Sequence, residues 1–431
     1  ARGADGPGAP GERERLYANL TRMLVQRSSL LLALWDGESS DRPGGTADTV
    51  LRYLGLRSDE IACESGLEFV PVQDTDTADA RLVYWAPAPR EGAAAGAARR
   101  SPCYLSGLGD NTLVVIEHMP SQLASQLAHL DRYNRDFREL RASGRLPRLD
   151  SLLHTLPPGA PIRNRASVEE LDHHYAKADA LAVYYQRRSD RLFHLFGVMA
   201  FGMGLAYLVY EKIIESRVLL LVYLAILVGS VAIYHKLQKH DWFAKHLVCR
   251  AIAETLRVTF YLRLAGAEHL VDSASVLSLS GIDAFRGFSW MRHVLHGVAL
   301  VDQDEAAVEA YDAGRSSQVE QAWIEVQHRY FTARVTRLQA ASRRLTRVQR
   351  TAFVVILIVF TSLAAFHESM GETIVAHGVS LKNWLTFGGA ALAVLLGVLE
   401  LHQNKMATRE LLWQYRNQRG HFARARAELA Q

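Results

Sequence analysis

The sequence predicts an α/β domain over residues 1–140, followed by an α-helical membrane region with four transmembrane helices in two hairpins. Short apolar runs that alternate with a helical pattern predict the α/β domain. Four long apolar stretches without proline predict the membrane region. The chain has 431 residues, of which 49% are hydrophobic, so it is long enough to form a separate core for each part.

The transmembrane prediction rests on the length and composition of the apolar stretches. A helix that spans the roughly 30 Å hydrocarbon core needs about 17–25 mostly apolar residues. Four stretches approach or reach that length, and short connections pair them into hairpins: 193–210 with 218–234, and 352–366 with 384–401. The four stretches contain one histidine, His194, and one acidic residue, Glu400, and each lies near an end of its stretch. Helices buried in a soluble core are the alternative interpretation.

Basic residues flank the apolar stretches on one side of each hairpin. The connections inside the hairpins hold only Lys212, Arg217 and Lys382, mixed with glutamates. Because basic residues concentrate in cytoplasmic segments, the N-terminal domain, the segment between the hairpins and the C-terminus are expected in the cytoplasm. The flanking basic residues are Arg187, Arg188, Arg191, Lys236, Lys239, Lys245, Arg250, Arg343, Arg344, Arg347, Arg350, Lys405, Arg409, Arg416 and Arg419.

Each hairpin belongs to a longer pattern that occurs twice. A polar helix rich in tyrosine and arginine enters the hairpin, and an amphipathic helix leaves it. This pattern predicts hairpin modules at 169–265 and 319–431. A cytoplasmic helical insert at 266–318 separates them, and a linker at 141–168 precedes the first.

The helices that leave the hairpins need packing partners. In the first, Ile252, Leu256 and Phe260 share a face by i,i+4 spacing. That stripe is expected to pack in a helical bundle, either across subunits or within one chain. Small residues at every fourth position allow close helix approach in the last apolar stretch. They are Gly389, Ala393 and Gly397.

The N-terminal region alternates strand-like and helix-like patterns. Apolar strand candidates occur at Ser29–Trp35, Arg81–Pro89 and Thr112–Met119, and a helix is predicted from Thr46. Such alternation favours a parallel sheet. Ligands of parallel sheets bind beyond the carboxyl ends of the strands, where Asp36 follows the first candidate.

A glycine-rich turn before the predicted helix is the candidate binding site. Glycines allow a phosphate to approach the backbone, and free N–H groups at a helix start favour an anion, with Thr46 as the expected N-cap. Ordinary turn and capping chemistry is the alternative interpretation of the same residues. The predicted ligand-binding residues are Asp36, Gly37, Gly44, Gly45, Thr46 and Asp48.

The segments "LLLALWDG" and "GGTADTV" resemble the SLOG superfamily of Rossmann-like nucleotide-sensing domains over residues 14–90. The segments "YAKADALAVYYQRRSDRLFHLFGVMAF" and "AETLRV" are similar to bacterial SLATT proteins, over 169–265 and more weakly over 319–425. This resemblance implies a Rossmann-like sensor of a nucleotide-derived ligand in the bacterial inner membrane. It also implies a homo-oligomeric effector that forms pores or disrupts membranes in antiphage defence.

Two departures from the family pattern qualify that resemblance. Related enzymes that cleave a nucleotide phosphoribosyl bond carry a PGGxGTxxE motif with a catalytic glutamate. Here Pro43–Thr46 lacks the intervening residues and Thr49 stands at the glutamate position, so binding is expected rather than hydrolysis. The family also places a glycine-rich strand ahead of Ser29, and "ARGADGPGAP" has no strand pattern, so part of the fold is expected to be missing from this sequence.

The sequence leaves three functions open. The first is the ligand-gated membrane effector. The second is a membrane-anchored nucleotide or nucleotide-sugar hydrolase with Asp36, Glu38 and Asp48 as its acids, and the third is a structural membrane scaffold. A net charge of +4 gives no argument for a nucleic-acid partner. The three cysteines have no metal-ligand spacing, so no metal or resident cofactor is expected.

Overall fold

The computed structural model describes most of the chain in two compact units. Unit 1 comprises Ala1–Leu149, Ile162–Ala178 and Arg250–Glu309; unit 2 comprises Asp150–Pro161, Asp179–Cys249 and Ala310–Gln431. The described residues are 10–40, 42–57, 67–72, 81–88, 101–109, 112–157, 162, 165–266, 290–299, 317–376, 378–405 and 408–429.

Unit 1 contains a five-stranded mixed sheet. Its strands are β1 (Leu31–Trp35), β2 (Glu68–Pro71), β3 (Val83–Pro87), β4 (Cys103–Gly109) and β5 (Thr112–Ile116), in the order β1-β3-β4-β5-β2. The pairs β1–β3 and β2–β5 are parallel, whereas β4 is antiparallel to both neighbours. The prediction of a parallel sheet is therefore wrong for β4. Only two residues separate β4 from β5, and so short a connection joins strands only as an antiparallel hairpin.

Helices lie on both faces of this sheet. They are α1 (Pro10–Arg27), α2 (Thr46–Tyr53) and α3 (Ser121–Ala142). Val50 and Leu51 of α2 pack with the inward side chains of β1 and β3, and Leu123 of α3 packs with β4 and β5 on the opposite face. The side chains of β1 alternate between buried and exposed, and Leu32 and Leu34 are exposed on the face of the sheet opposite α2.

The remainder of the chain is mostly helical. Its main helices are α4 (Arg165–Lys212), α5 (Arg217–His240), α6 (Trp242–Ala265), α7 (Met291–Ala299), α8 (Glu325–Ala365), α9 (His367–Glu372), α10 (Leu381–Lys405) and α11 (Thr408–Leu429). A small hairpin of β6 (Ile374–Ala376) and β7 (Val379–Ser380) lies between α9 and α10. Within the predicted insert, Trp290 is buried, and its ring packs against Tyr133 of α3 with the centroids 5.6 Å apart.

Among the residues that the structure describes, four helices are long and apolar enough to cross a membrane. They contain the four predicted stretches, except that the third helix ends at Ala365, one residue before the predicted end. At most 6% of their most apolar windows is buried inside the chain. The polar entry patterns continue into the apolar stretches without a break, because α4 and α8 are single helices. The chain passes from unit 1 to unit 2 within α4.

Glycines bring the two hairpins together inside unit 2. A Cβ built on Gly204 of α4 lies 2.9 Å from Cγ1 of Val394 on α10, and one on Gly197 lies 3.6 Å from Val398. Within the second hairpin, Gly389 faces the Phe360 ring at 2.9 Å in the same construction. Close approach through small residues is thus observed at Gly389, but nothing described lies within 4 Å of the corresponding position on Gly397.

The helices that leave the hairpins pack within the chain. Ile252, Leu256 and Phe260 of α6 are almost completely buried, so this apolar stripe is covered without a second subunit. In unit 2, Phe331 of α8 packs on Tyr415 and Phe422 of α11, with ring centroids 5.6 and 5.7 Å away.

Replacing Gly204 with leucine should weaken the contact between the hairpins. The added side chain overlaps Val394, and overpacking of this kind costs about 1–3 kcal/mol. The melting temperature of the purified protein in detergent should therefore fall. Gly397→Leu on α10 is the matched control, and an equal decrease in both variants would show that the hairpins do not meet at Gly204.

Candidate ligand-binding site

The predicted site residues lie in two adjoining segments of unit 1. Asp36 and Gly37 directly follow β1, while Gly44 and Gly45 precede α2. Gly37 has φ +85°, and a Cβ built on it lies 3.1 Å from the Trp85 ring. Glycine is therefore needed at position 37 so that the chain can turn tightly past β3.

Gly44 is required by packing inside the chain. Its φ is +75°, and a Cβ built on it lies 2.5 Å from Tyr17 of α1. The Gly44 N–H donates to Oδ2 of Asp48 at 2.9 Å. The close approach that glycine permits here is thus to α1, and the Gly44 N–H is directed at a carboxylate of the chain itself.

Asp48 is a buried carboxylate held by two arginines. It is 2% exposed, and Oδ1 accepts from Nε of Arg52 at 2.9 Å and from Nη1 of Arg57 at 3.3 Å. The same Arg57 nitrogen donates to the Ser40 carbonyl at 2.9 Å. Asp48 and Arg57 therefore fasten the loop before α2 to the helix. The i,i+4 spacing of Asp48 and Arg52 is visible in the sequence, whereas the contact with Arg57 depends on the fold.

Thr46 does not cap the helix. Gly45 occupies the N-cap position without a side-chain cap, and Thr46 is the exposed first helical residue. The buried hydroxyl nearby belongs to Thr49, which donates to the Gly45 carbonyl at 3.0 Å and lies 2.8 Å from the Thr21 hydroxyl on α1. The expected N-cap at Thr46 is wrong, because the turn at Gly44 starts the helix one residue earlier than a threonine cap requires.

Asp36 organises the turn after β1. Its Oδ1 accepts the Glu38 N–H at 3.1 Å, and the Glu38 carbonyl accepts from Nε1 of Trp35 at 2.9 Å. This local pattern is an Asx turn, which aspartate forms readily. The Asp36 carboxylate is half-buried and the Glu38 side chain is exposed, so these two groups lie at the surface of the loop.

Three aromatic side chains pack together next to the loop between β1 and α2. Trp35 and Trp85 are buried with centroids 5.8 Å apart, and Phe69 stacks on Trp85 at 5.5 Å. Phe69 belongs to β2, at the sheet edge opposite β1. Since a flat sheet would separate these edges by about 19 Å, the 6.4 Å contact between Trp35 and Phe69 requires the sheet to curl. Sequence reasoning missed β2 and Phe69, for which the short pattern "EFVP" is the only signal.

The predicted phosphate site is confined to the outer side of the loop, because the inner side is occupied by contacts within the chain. The first N–H groups of α2 have no partner within the helix, and two arginines balance the charge of Asp48 beneath them. The same arginines leave Asp48 unsuited to serve as a free catalytic acid. Among the described residues, no group of histidine, cysteine and acidic side chains has the arrangement of a metal site.

Comparison of the chain with protein-family models, curated proteins and solved structures yields no match.

A titratable group lies away from this loop, on α4. His174 is half-buried, whereas its neighbour His173 is exposed. Burial lowers the pKa of His174, as do the nearby Lys177 and His173, while Glu170 acts in the opposite direction.

Replacing Gly44 with alanine should destabilise unit 1. The positive φ disfavours a Cβ by about 1–2 kcal/mol, and the overlap with Tyr17 adds to that cost. Chemical denaturation followed by tryptophan fluorescence measures the loss. Gly45→Ala is the control, since Gly45 has φ −75° and a Cβ there is 3.3 Å from its nearest neighbour. Equal stability of the two variants would contradict this assignment.

His174 should make the fold less stable in mild acid. Its lowered pKa means that the unfolded chain binds a proton first as the pH falls below about 6.5, which favours unfolding. The stability should thus decrease as the pH falls through the pKa of the folded state. His174→Gln should flatten this dependence in denaturation curves recorded between pH 7.5 and 5, whereas His173→Gln should retain it. A flat wild-type curve would contradict the prediction.

Proposed function

We propose that the protein is a membrane-embedded effector whose cytoplasmic α/β domain binds a nucleotide-derived ligand and controls the transmembrane helices. The observation that carries the membrane part is the exposed apolar surface of the long helices. Leu221, Val228, Phe353 and Ile358 are each about three-fifths exposed and belong to continuous apolar surfaces. Soluble monomers rarely expose apolar patches of this extent, and a lipid bilayer is the environment that covers them.

The residues at the ends of the first hairpin support an interfacial position. Arg188 lies over the Trp242 ring at 4.9 Å, and Lys245 lies over the Tyr185 ring at 5.2 Å. Basic and aromatic residues of this kind are enriched where helices leave the hydrocarbon core. Together with the basic flanks, they support a topology in which both chain termini face the cytoplasm of a bacterial inner membrane.

The ligand-binding part of the proposal rests on the loop between β1 and α2. Its outer side presents Gly45 and Thr46 at a helix start whose buried acid is balanced by arginines. Such a start favours phosphate groups. The resemblance to Rossmann-like SLOG domains joined to SLATT helices favours a nucleotide-derived ligand, a homo-oligomer and a pore-forming or membrane-disrupting role in antiphage defence.

The continuity of α4 supports coupling between the two functions. A ligand can change the state of a protein only if it binds one conformation more tightly than another. Since α4 contributes residues to both compact units as one helix, a ligand-dependent change in unit 1 has a direct covalent route to the apolar stretch.

A structural scaffold is the second candidate. Gly44 is explained by its contact with α1, and Asp48 by its arginine partners, without any ligand. These internal roles favour a domain whose loop serves folding alone. The hydrolase alternative loses Asp48, which is paired with two arginines, and is left with Asp36 and Glu38 at the surface of the loop.

A panel of cyclic nucleotides, ADP-ribose derivatives and nucleoside phosphates should contain at least one compound that stabilises the protein in detergent. At a ligand concentration 100 times Kd, binding adds about 2.7 kcal/mol and raises the melting temperature. Gly45→Arg should abolish the shift, since the side chain fills the outer side of the loop. Because Gly45 has an ordinary φ of −75°, this variant should fold.

The stability of Gly45→Arg without ligand and the products formed from the panel are measured in parallel. A shift that persists in Gly45→Arg would place binding elsewhere. A complete lack of shifts would favour the scaffold, and product formation would favour the hydrolase.

A further inference from the structure

After Glu325, every charged residue of α8 is positive. Between Glu325 and Glu368 the sequence contains seven arginines, no lysine and no acidic residue. The seven are Arg329, Arg334, Arg337, Arg343, Arg344, Arg347 and Arg350. A run of this composition favours an anionic partner.

The last four of these arginines form a cluster next to the apolar stretch. Arg343, Arg344, Arg347 and Arg350 are all exposed. At 100° per residue they lie within an arc of about 120° on the helix. In the part of the chain that the structure describes, none of them forms an ion pair with an acidic side chain. The carboxylate of Glu400 on α10 accepts a hydrogen bond from Nε2 of Gln349, the neighbour of Arg350, at 3.0 Å.

Arg347 and Arg350 of this cluster lie at the depth of lipid headgroups if the apolar stretch spans the bilayer, whereas Arg343 and Arg344 lie about 12–14 Å from Ala352, beyond that layer. With a rise of 1.5 Å per residue, Arg347 and Arg350 are within about 8 Å of Ala352, the first residue of that stretch. The headgroup layer is about 5–8 Å thick. Since helical side chains lean towards the N-terminus, these two lean away from the apolar stretch and into that layer.

The first hairpin uses its basic residues differently. Arg188 and Lys245 are engaged with the rings of Trp242 and Tyr185. No such ring contact involves the four clustered arginines among the described residues. Their guanidinium groups therefore remain available to an outside anion.

We propose that the cluster of Arg343, Arg344, Arg347 and Arg350 binds anionic phospholipids of the cytoplasmic leaflet, with Arg347 and Arg350 pairing with their phosphate groups and Arg343 and Arg344 adding attraction from just outside the headgroup layer. The planar guanidinium group pairs with phosphate through two parallel hydrogen bonds, which a lysine does not provide. Each basic residue near an anionic surface strengthens the attraction. This inference rests on the proposed membrane location and adds a lipid specificity to it.

The test uses the full-length protein in maltoside micelles. Phosphatidylglycerol or phosphatidylcholine is titrated into the micelles, and the retained lipids are counted by native mass spectrometry. The native chain should retain phosphatidylglycerol in preference to phosphatidylcholine. The variant with all four arginines changed to glutamine should need at least about tenfold more phosphatidylglycerol for the same occupancy.

A matched variant separates the cluster from overall charge. The control carries the same number of arginine-to-glutamine changes at exposed positions on α8 and α11: Arg329, Arg337, Arg419 and Arg426. It should bind phosphatidylglycerol as the native chain does. Equal melting temperatures of the three proteins in phosphatidylcholine micelles confirm that each is folded.

Several outcomes would overturn the inference. These are equal retention of the two lipids by the native chain, an equal loss in the control variant, and equally strong competition by inorganic phosphate or single-stranded RNA. Carbonate extraction of cell membranes tests the proposed location separately. A native chain released into the soluble fraction contradicts the proposed function, whereas a membrane-retained chain without lipid preference contradicts the lipid inference alone.

Discussion

The exposed apolar surface of four long helices is the constraint on which the rest of the structure depends. Helices of this length satisfy their own backbone hydrogen bonds, so they can enter a medium without water. Inside the chain they meet through glycines, as at Gly204 against Val394 and at Gly389 against Phe360. Such contacts hold helices together where lipid removes the hydrophobic driving force between them. The remaining outer surface stays apolar, which is compatible with a lipid environment.

The polar parts of the same helices, unlike their apolar stretches, pack against other segments of the chain. Beyond the apolar stretches, α6 buries its stripe in unit 1, and α8 packs its aromatic residues against α11 in unit 2. These segments therefore have partners inside the chain. In the α/β domain, the glycine turn and the buried Asp48 likewise have internal partners. Any ligand must use the outer side of the loop, which limits the sensor hypothesis to a small region.

The predictability of each element follows from the range of the interactions that form it. The four apolar helices were predictable because an uninterrupted run of about 18 apolar residues is a local signal. Strands β1, β3 and β5 carry strong apolar patterns as well. Strands β2 and β4 do not, because "EFVP" is short and Cys103–Gly109 contains two glycines and a serine. Their places in the sheet are set by pairing with β5.

The candidate site shows the same limit. The sequence places glycines and an acid before α2, but it does not reveal that Tyr17 and Arg57 contact them. Those partners come from α1 and from beyond α2, and only the fold brings them close. A glycine needed for internal packing and a glycine needed for a phosphate have the same local pattern, so sequence alone could not separate the two interpretations.

Transmembrane topology is the most direct test of the central claim. Single cysteines at Glu215, Glu372 and Ala427 would be introduced after Cys63, Cys103 and Cys249 are replaced by alanine. A membrane-impermeant maleimide added to intact spheroplasts should label the first two positions, which lie in the hairpin connections. Ala427 should be labelled only after permeabilisation. Labelling of Ala427 in intact spheroplasts, or protection of all three positions, would contradict two membrane-spanning hairpins with a cytoplasmic C-terminus.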